Sequence, residues 1–260
     1  MTTRILSGVL LSPLLLVILV GGLPLYVLSF ILTVISIREF TNALKVKSIN
    51  IYSNLGYIFA SLFFLKNVFD ISIIKIFYFN IALMMCSILF ILIKKNQIKD
   101  LLVNLAGTIY IILGFDAIIG IINDFQFGFI YVWLIFIVAL LSDTMAYFVG
   151  SIFGKHKLAP RLSPKKTIEG SIGAIIFSTI GCLILGKIFE LNVMLMLIVG
   201  ILGSIISQIG DLLASFVKRY VGIKDYGNLI PGHGGILDRF DSVILVSQFI
   251  YLILFIINII

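Results

Sequence analysis

Charge is scarce in this 260-residue chain. Only 12% of its residues are Asp, Glu, Lys or Arg and 61% are hydrophobic, whereas soluble proteins carry about 25% charged residues. That shortage excludes a soluble globular domain, because lipid must replace water over most of the surface. Cysteine is nearly absent: Cys86 and Cys182 lie inside apolar runs. They form neither a disulfide framework nor a metal-ligand spacing, and read as small core or lipid-facing residues. There are two histidines, His156 and His233. No low-complexity stretch, soluble domain or internal repeat is visible. The opening MTTRILSGVLLSPLLLVILVGG has no small-x-small cleavage site and leads straight into another apolar run, so the expectation is a retained first span and not a cleaved signal. The formal net charge of +7 does not indicate nucleic acid, because the basic residues fill short gaps between apolar runs, as in a positive-inside membrane protein.

A spanning helix needs roughly 20 mostly apolar residues, and about nine runs qualify. They are 5–20, 24–37, 51–65, 76–93, 101–122, 127–150, 168–186, 191–210 and 236–260. With nine spans and a cytoplasmic N-terminus, the cytoplasmic segments hold Arg4, Arg38, Lys45, Lys47, Lys94, Lys95, Lys99, Lys155, Lys157, Arg161, Lys165, Lys166, Lys218, Arg219 and Lys224. The opposite loops hold only Lys66, Lys75 and Lys187, and Arg239 lies in the last span. Basic residues resist translocation, so this asymmetry orients the chain. The expected fold is therefore an all-α integral membrane protein, a polytopic bundle of about nine transmembrane helices with a cytoplasmic N-terminus. Residues 1–126 would be a scaffold and 127–260 a catalytic region whose site faces the cytoplasm across the cell membrane.

The polar stretch 211–242, DLLASFVKRYVGIKDYGNLIPGHGGILDRFDS, interrupts this apolar background. It holds four of the twelve acids (Asp211, Asp225, Asp238, Asp241), four basic residues (Lys218, Arg219, Lys224, Arg239) and His233. Ionisable groups within spans are costly and mark functional positions by default. Asp143 lies in one span, with Tyr147 a turn further on. Ser204, Ser207 or Gln208, Asp211, Ser215 and Lys218 follow at steps of three and four, on one helical face. Asp238, Asp241 and Ser242 share another face by the same spacing. Carboxylates from several helix ends at one depth suit Mg²⁺, which takes one or two of them plus substrate phosphate oxygens. The plainer alternative makes Asp143 a buried ion-pair partner and Asp211 a hydrogen-bonding group within the bundle. Pro231-Gly232-His233-Gly234-Gly235, with a helix starting after it, offers backbone N–H groups to an anion. The basic run 155–170, KHKLAPRLSPKKTIEG, reads either as an anchor to anionic headgroups or as a phosphate site using Ser163, Lys165, Lys166 and Thr167. Thr167 can also cap the following helix, with Glu169 in its first turn. Asp225 reads as a solvated or loop-ordering charge, His156 as a surface residue, and Asp70, Asp100, Asp124 and Glu190 as solvated groups at span ends. Asp116 has no assignment.

The run Ser215-x-x-Lys218-Arg219-x4-Lys224-Asp225-x-Gly227-x-x-Ile230-Pro231-Gly232-His233-Gly234-Gly235-x-x-Asp238-Arg239-x-Asp241 resembles the signature of phosphatidate cytidylyltransferases (CDP-diacylglycerol synthases). Asp143-x-x-Ala146-Tyr147-x-x-Gly150 and Ser163-Pro164-Lys165-Lys166-Thr167-x-Glu169-Gly170 resemble two further blocks of that family. The resemblance covers roughly residues 140 to 245, and the first 130 match only in being hydrophobic. Ser151, where members often have Arg, and Ile168, where many have Trp, depart from the pattern. The resemblance implies transfer of CMP from CTP to phosphatidic acid, giving CDP-diacylglycerol and pyrophosphate. It implies metal ligation by Asp211 and Asp238, supported by Asp241 and Asp143, with Mg²⁺ and a second cation such as K⁺. Asp211, Asp238, Lys218 and Arg219 would be catalytic. Lys165, Lys166, Ser163, Thr167, Lys224, His233, Gly234, Gly235 and Arg239 would bind substrate. A homodimer is implied as well. Two other readings compete. A CDP-alcohol phosphatidyltransferase would need a DGxxAR string, which the chain lacks. An ion-coupled transporter using Asp143, Asp211 and Asp116 would need its acids near the membrane midplane.

Overall fold

The structure is a computed structural model and describes residues 17, 20–49, 53–69, 98–229 and 234–259. The helices are α1 (Gly22–Val46), α2 (Ser53–Phe69), α3 (Ile98–Asp124), α4 (Gly128–Phe153), α5 (Ile168–Ile188), α6 (Val193–Val221) and α7 (Leu237–Ile259), with strands β1 (Lys157–Ala159) and β2 (Ser163–Thr167) between α4 and α5. Six of the helices are long and apolar enough to cross a membrane, and α2 has 17 residues. The chain is an all-α integral membrane protein carrying one short hairpin. Of the expected spans, seven coincide with helices; 76–93 and all of 5–20 except residues 17 and 20 lie outside the described residues.

The described residues fall into two compact units, those within Met1–Ile119 and Val221–Asp238 and those within Gly120–Tyr220 and Arg239–Ile260. In the first, α1 packs on α2, with the Phe30 and Phe64 rings 4.9 Å apart. Ile37, Leu44, Leu101, Ile111 and Phe115 form its core.

In the second unit α4 packs along α5, over a core of Val132, Leu134, Ile135, Val138, Met196, Val246 and Ile250. Ser142, Ser178 and Ser204 meet inside it: the Ser142 Oγ lies 3.1 Å from that of Ser178 and 2.7 Å from that of Ser204. These hydroxyls satisfy one another where water cannot. Asn192 starts α6 by accepting the N–H groups of Met194 and Leu195 at 2.8 and 3.2 Å, an N-cap.

α6 reverses the pattern of a soluble helix. Ser204, Ser207, Gln208 and Lys218 are buried, whereas Ile201, Leu202, Ile205, Ile209, Leu213 and Phe216 are exposed. The helix also runs past the expected end at 210 to Val221, carrying the whole polar stripe, with Lys218 and Arg219 in its last turn. Cations there complement the negative end of the helix.

Candidate active site

The basic run 155–170 folds as an antiparallel hairpin, with Lys157 opposite Thr167 and Ala159 opposite Ser163. Successive strand residues point to opposite faces, which separates two neighbouring lysines. Lys165 is exposed, whereas Lys166 turns inward and forms an ion pair with Asp211 of α6. β2 is fixed at its end by Thr167, which is buried and accepts the Gly170 N–H at 3.2 Å, the expected cap of α5. A Cβ on Gly150 would stand 2.7 Å from the Thr167 Oγ1, and one on Gly170 would run into the Ala146 carbonyl oxygen. The small residues of the α4 motif, Ala146 and Gly150, thus let α4, the hairpin and α5 approach closely. Glu169 accepts the His156 N–H at 3.2 Å and pairs with the ring Nδ1 at 2.7 Å. His156 is at the surface as expected, and it ties the hairpin to the first turn of α5.

Three acids of this unit lie within electrostatic reach of one another: Asp143, Asp211 and Asp241. Lys166 and Arg239 oppose the charge of Asp143, Lys218 opposes that of Asp241, and the Ser242 side chain is within hydrogen-bonding reach of Asp143. Asp241 is buried and Asp143 exposed. Among the described residues no three of His, Cys, Asp and Glu stand close enough to hold a metal ion by themselves. Asp143, Asp211 and Asp241 are oxygen donors, the type that Mg²⁺ takes in small number beside water and phosphate oxygens.

The other unit holds Asp238. It is buried, and its Oδ2 accepts the N–H of Tyr226 at 2.7 Å and that of Gly235 at 3.0 Å. Beside it stands a residue that no sequence motif singles out: Glu39 of α1, 8% exposed. Its Oε1 accepts the Ile236 N–H at 3.0 Å and its Oε2 the Leu237 N–H at 2.8 Å. A Cβ on Gly227 would lie 2.7 Å from Glu39 Oε1, and one on Gly235 would collide with the same carboxylate. The N–H groups at the start of α7 therefore face two carboxylates of the protein itself. Nothing local marks Glu39, because its donors are 197 and 198 positions away.

The remaining candidates divide by exposure. Arg219, Lys224, Asp225 and Arg239 are exposed, Lys218 is buried, and Ser163 is half-buried in β2. Pro231, Gly232, His233, Cys86 and Asp70 lie outside the described residues. Cys182 is fully buried in α5. Asp100 is buried and not solvated. Asp124 accepts the Tyr251 hydroxyl at 2.8 Å. Asp116 gains partners: Lys66 Nζ at 2.7 Å and Asn67 Nδ2 at 2.8 Å. Lys66, expected in a loop, is thus inside a helix as the counter-ion of Asp116.

The comparisons with known proteins extend further along the chain than residues 140 to 245. The profile of the cytidylyltransferase family matches residues 2–257. A phosphatidate cytidylyltransferase of Bacillus subtilis (strain 168) is 35% identical over 269 residues, covering 98% of this chain and 97% of the relative. Those of Staphylococcus haemolyticus (strain JCSC1435) and Staphylococcus aureus (strain COL) are 36% and 33% identical, each covering 92% of both sequences. The N-terminal helices, which matched the family only in hydrophobicity, are therefore part of the likeness, and the chain belongs to the cytidylyltransferase family.

Proposed function

We propose that the chain is a phosphatidate cytidylyltransferase that transfers CMP from CTP to phosphatidic acid. The phosphate oxygen of the lipid forms a bond to the α-phosphorus of CTP, the bond from that phosphorus to the β-bridging oxygen breaks, and pyrophosphate leaves. The observation that carries the reading is the near full-length likeness to relatives of that name. The attacking phosphate is already anionic, so the reaction needs no strong general base; it needs positioning and charge neutralisation.

Asp211, Asp143 and Asp241 are the carboxylates that would hold Mg²⁺, and Asp238 is a ligand candidate on the resemblance. A bound Mg²⁺ would neutralise charge on the triphosphate and the departing pyrophosphate. Lys166 holds Asp211 in an ion pair and reaches it from a strand that also presents Lys165, so both lysines are candidates to bind phosphate. Lys218, Arg219, Lys224 and Arg239 supply further positive charge for the triphosphate or the lipid headgroup. A second cation such as K⁺, a role for His233 and a homodimer rest on the resemblance alone.

The finer topology is part of the same reading: nine spans, a cytoplasmic N-terminus, and a site facing the cytoplasm of the cell, where CTP is. The basic hairpin and the basic end of α6 support it by the positive-inside rule.

The test is pyrophosphate release by the purified, detergent-solubilised protein given CTP, phosphatidic acid and Mg²⁺, with EDTA and Asp211→Ala samples beside it. Turnover that needs both substrates and stops in both controls is the expected result. Turnover that persists in EDTA or in Asp211→Ala would overturn the metal assignment.

A further inference from the structure

We infer that Glu39 is a positioning residue for the reaction, acting from the first described helix on the loop and helix start that carry Asp238. This rests on the reading above, in which Asp238 is a metal ligand. The argument begins from the loop's backbone. Four N–H groups, those of Tyr226, Gly235, Ile236 and Leu237, point at two carboxylates: Asp238 takes the first two and Glu39 the second two. Ile236 and Leu237 are 5% and 4% exposed, and Glu39 is 8% exposed. Donors so buried require an acceptor, and Asp238 already accepts two N–H bonds.

The fit is specific to this side chain. Gly227 and Gly235 both lie against the Glu39 carboxylate with no room for a methyl group. Two glycines of the motif thus have a partner outside it, and their small size is explained by where Glu39 sits. The carboxylate also shares its surroundings with the negative charge of Asp238. Two like charges are held together here by four backbone dipoles, so losing one carboxylate changes both the geometry and the field at the other. Glu39 touches no reacting group; it sets where Asp238 stands.

The experiment uses the full chain in detergent as wild type, Glu39→Gln and Glu39→Ala. Gln offers one acceptor oxygen to the two N–H groups and turns its own NH₂ toward the other, so it keeps about one of the two bonds. Supporting groups of this kind typically contribute 10–100-fold. The expected result is that kcat falls about 10-fold in Glu39→Gln and about 100-fold in Glu39→Ala, while KM for phosphatidic acid stays near wild type. Amide hydrogen exchange should quicken across residues 226–229 and 234–237 and not across α2 or α3. Gly235→Ala should be severe alone but add little to Glu39→Ala, because the obstruction has gone.

Exchange that is unchanged, or raised equally across the whole unit, would overturn the anchor. Unchanged kcat alongside faster loop exchange would overturn the link to the reaction. If Glu39→Ala does not fold, Glu39→Gln decides on the same readings. Absence of turnover by the wild type would instead remove the reading beneath the proposal, with loop exchange still deciding whether Glu39 is the anchor.

Discussion

Replacing Asp116 by Ala should unfold this protein more readily without touching the chemistry. The carboxylate sits on α3 and the lysine it neutralises on α2, with each side chain 15% exposed and 2.7 Å between Nζ and Oδ2. Lys66 also lies 5.5 Å over the Phe63 ring, and Asn67 donates to the second oxygen. Removing the carboxylate leaves an ammonium without its counter-ion and an amide without its acceptor. Breaking a buried pair costs about 3–5 kcal/mol, and insertion scales put an intramembrane lysine near 3 kcal/mol. Because the lysine keeps some access to the surface and can extend toward it, we take about 3 kcal/mol. For a chain of this size that is a fall of roughly 6–12 °C in unfolding midpoint, readable by intrinsic fluorescence in detergent. The decisive comparison is the double variant Lys66→Met with Asp116→Leu. An apolar pair of similar volume should recover most of the loss, because neither charge is then left alone. A double variant no better than the sum of the single ones would refute the argument. So would Asp116→Asn at the wild-type midpoint with no turnover, which would make Asp116 functional.

Gly170→Ala should be poorly tolerated, because its methyl meets the Ala146 carbonyl oxygen where α4 crosses α5; the check is the yield and midpoint of purified protein. Thr167→Val keeps the shape but removes the cap of α5, and should lower stability by about 1 kcal/mol, read from the thermal midpoint. Lys165→Ala should raise KM for CTP or phosphatidic acid several-fold with the midpoint unchanged; unchanged kinetics would return Lys165 to an anchoring role. Asp211→Asn should abolish pyrophosphate release while the protein still elutes as a folded species on size exclusion.

What could be read from the sequence was what depends on near neighbours. Apolar length located the helices because a span has to satisfy its own backbone bonds in lipid. The step of three and four along Ser204, Asp211 and Lys218 located a polar face that does lie inward at Ser204 and Lys218. Thr167 capped the helix it preceded. Contacts between distant elements could not be read. The alternation of Lys165 and Lys166 needed the hairpin, whose five-residue strand is too short to show a period. Asp116 and Lys66 stand 50 positions apart, so in the sequence one has no assignment and the other reads as a loop charge. Glu39 was invisible for the same reason: the amides it accepts from lie 197 and 198 positions away.

That last contact also sets the order in which the chain can mature. The Glu39 carboxylate enters the membrane with α1, but the amides that receive it are 197 and 198 residues downstream. At a synthesis rate of about 5–20 residues per second, its partners emerge roughly 10–40 s later. Through that interval the nascent protein lacks the two amides that hold the Glu39 carboxylate in the folded chain. Any chain cut short before residue 236 lacks both amides that receive the Glu39 carboxylate.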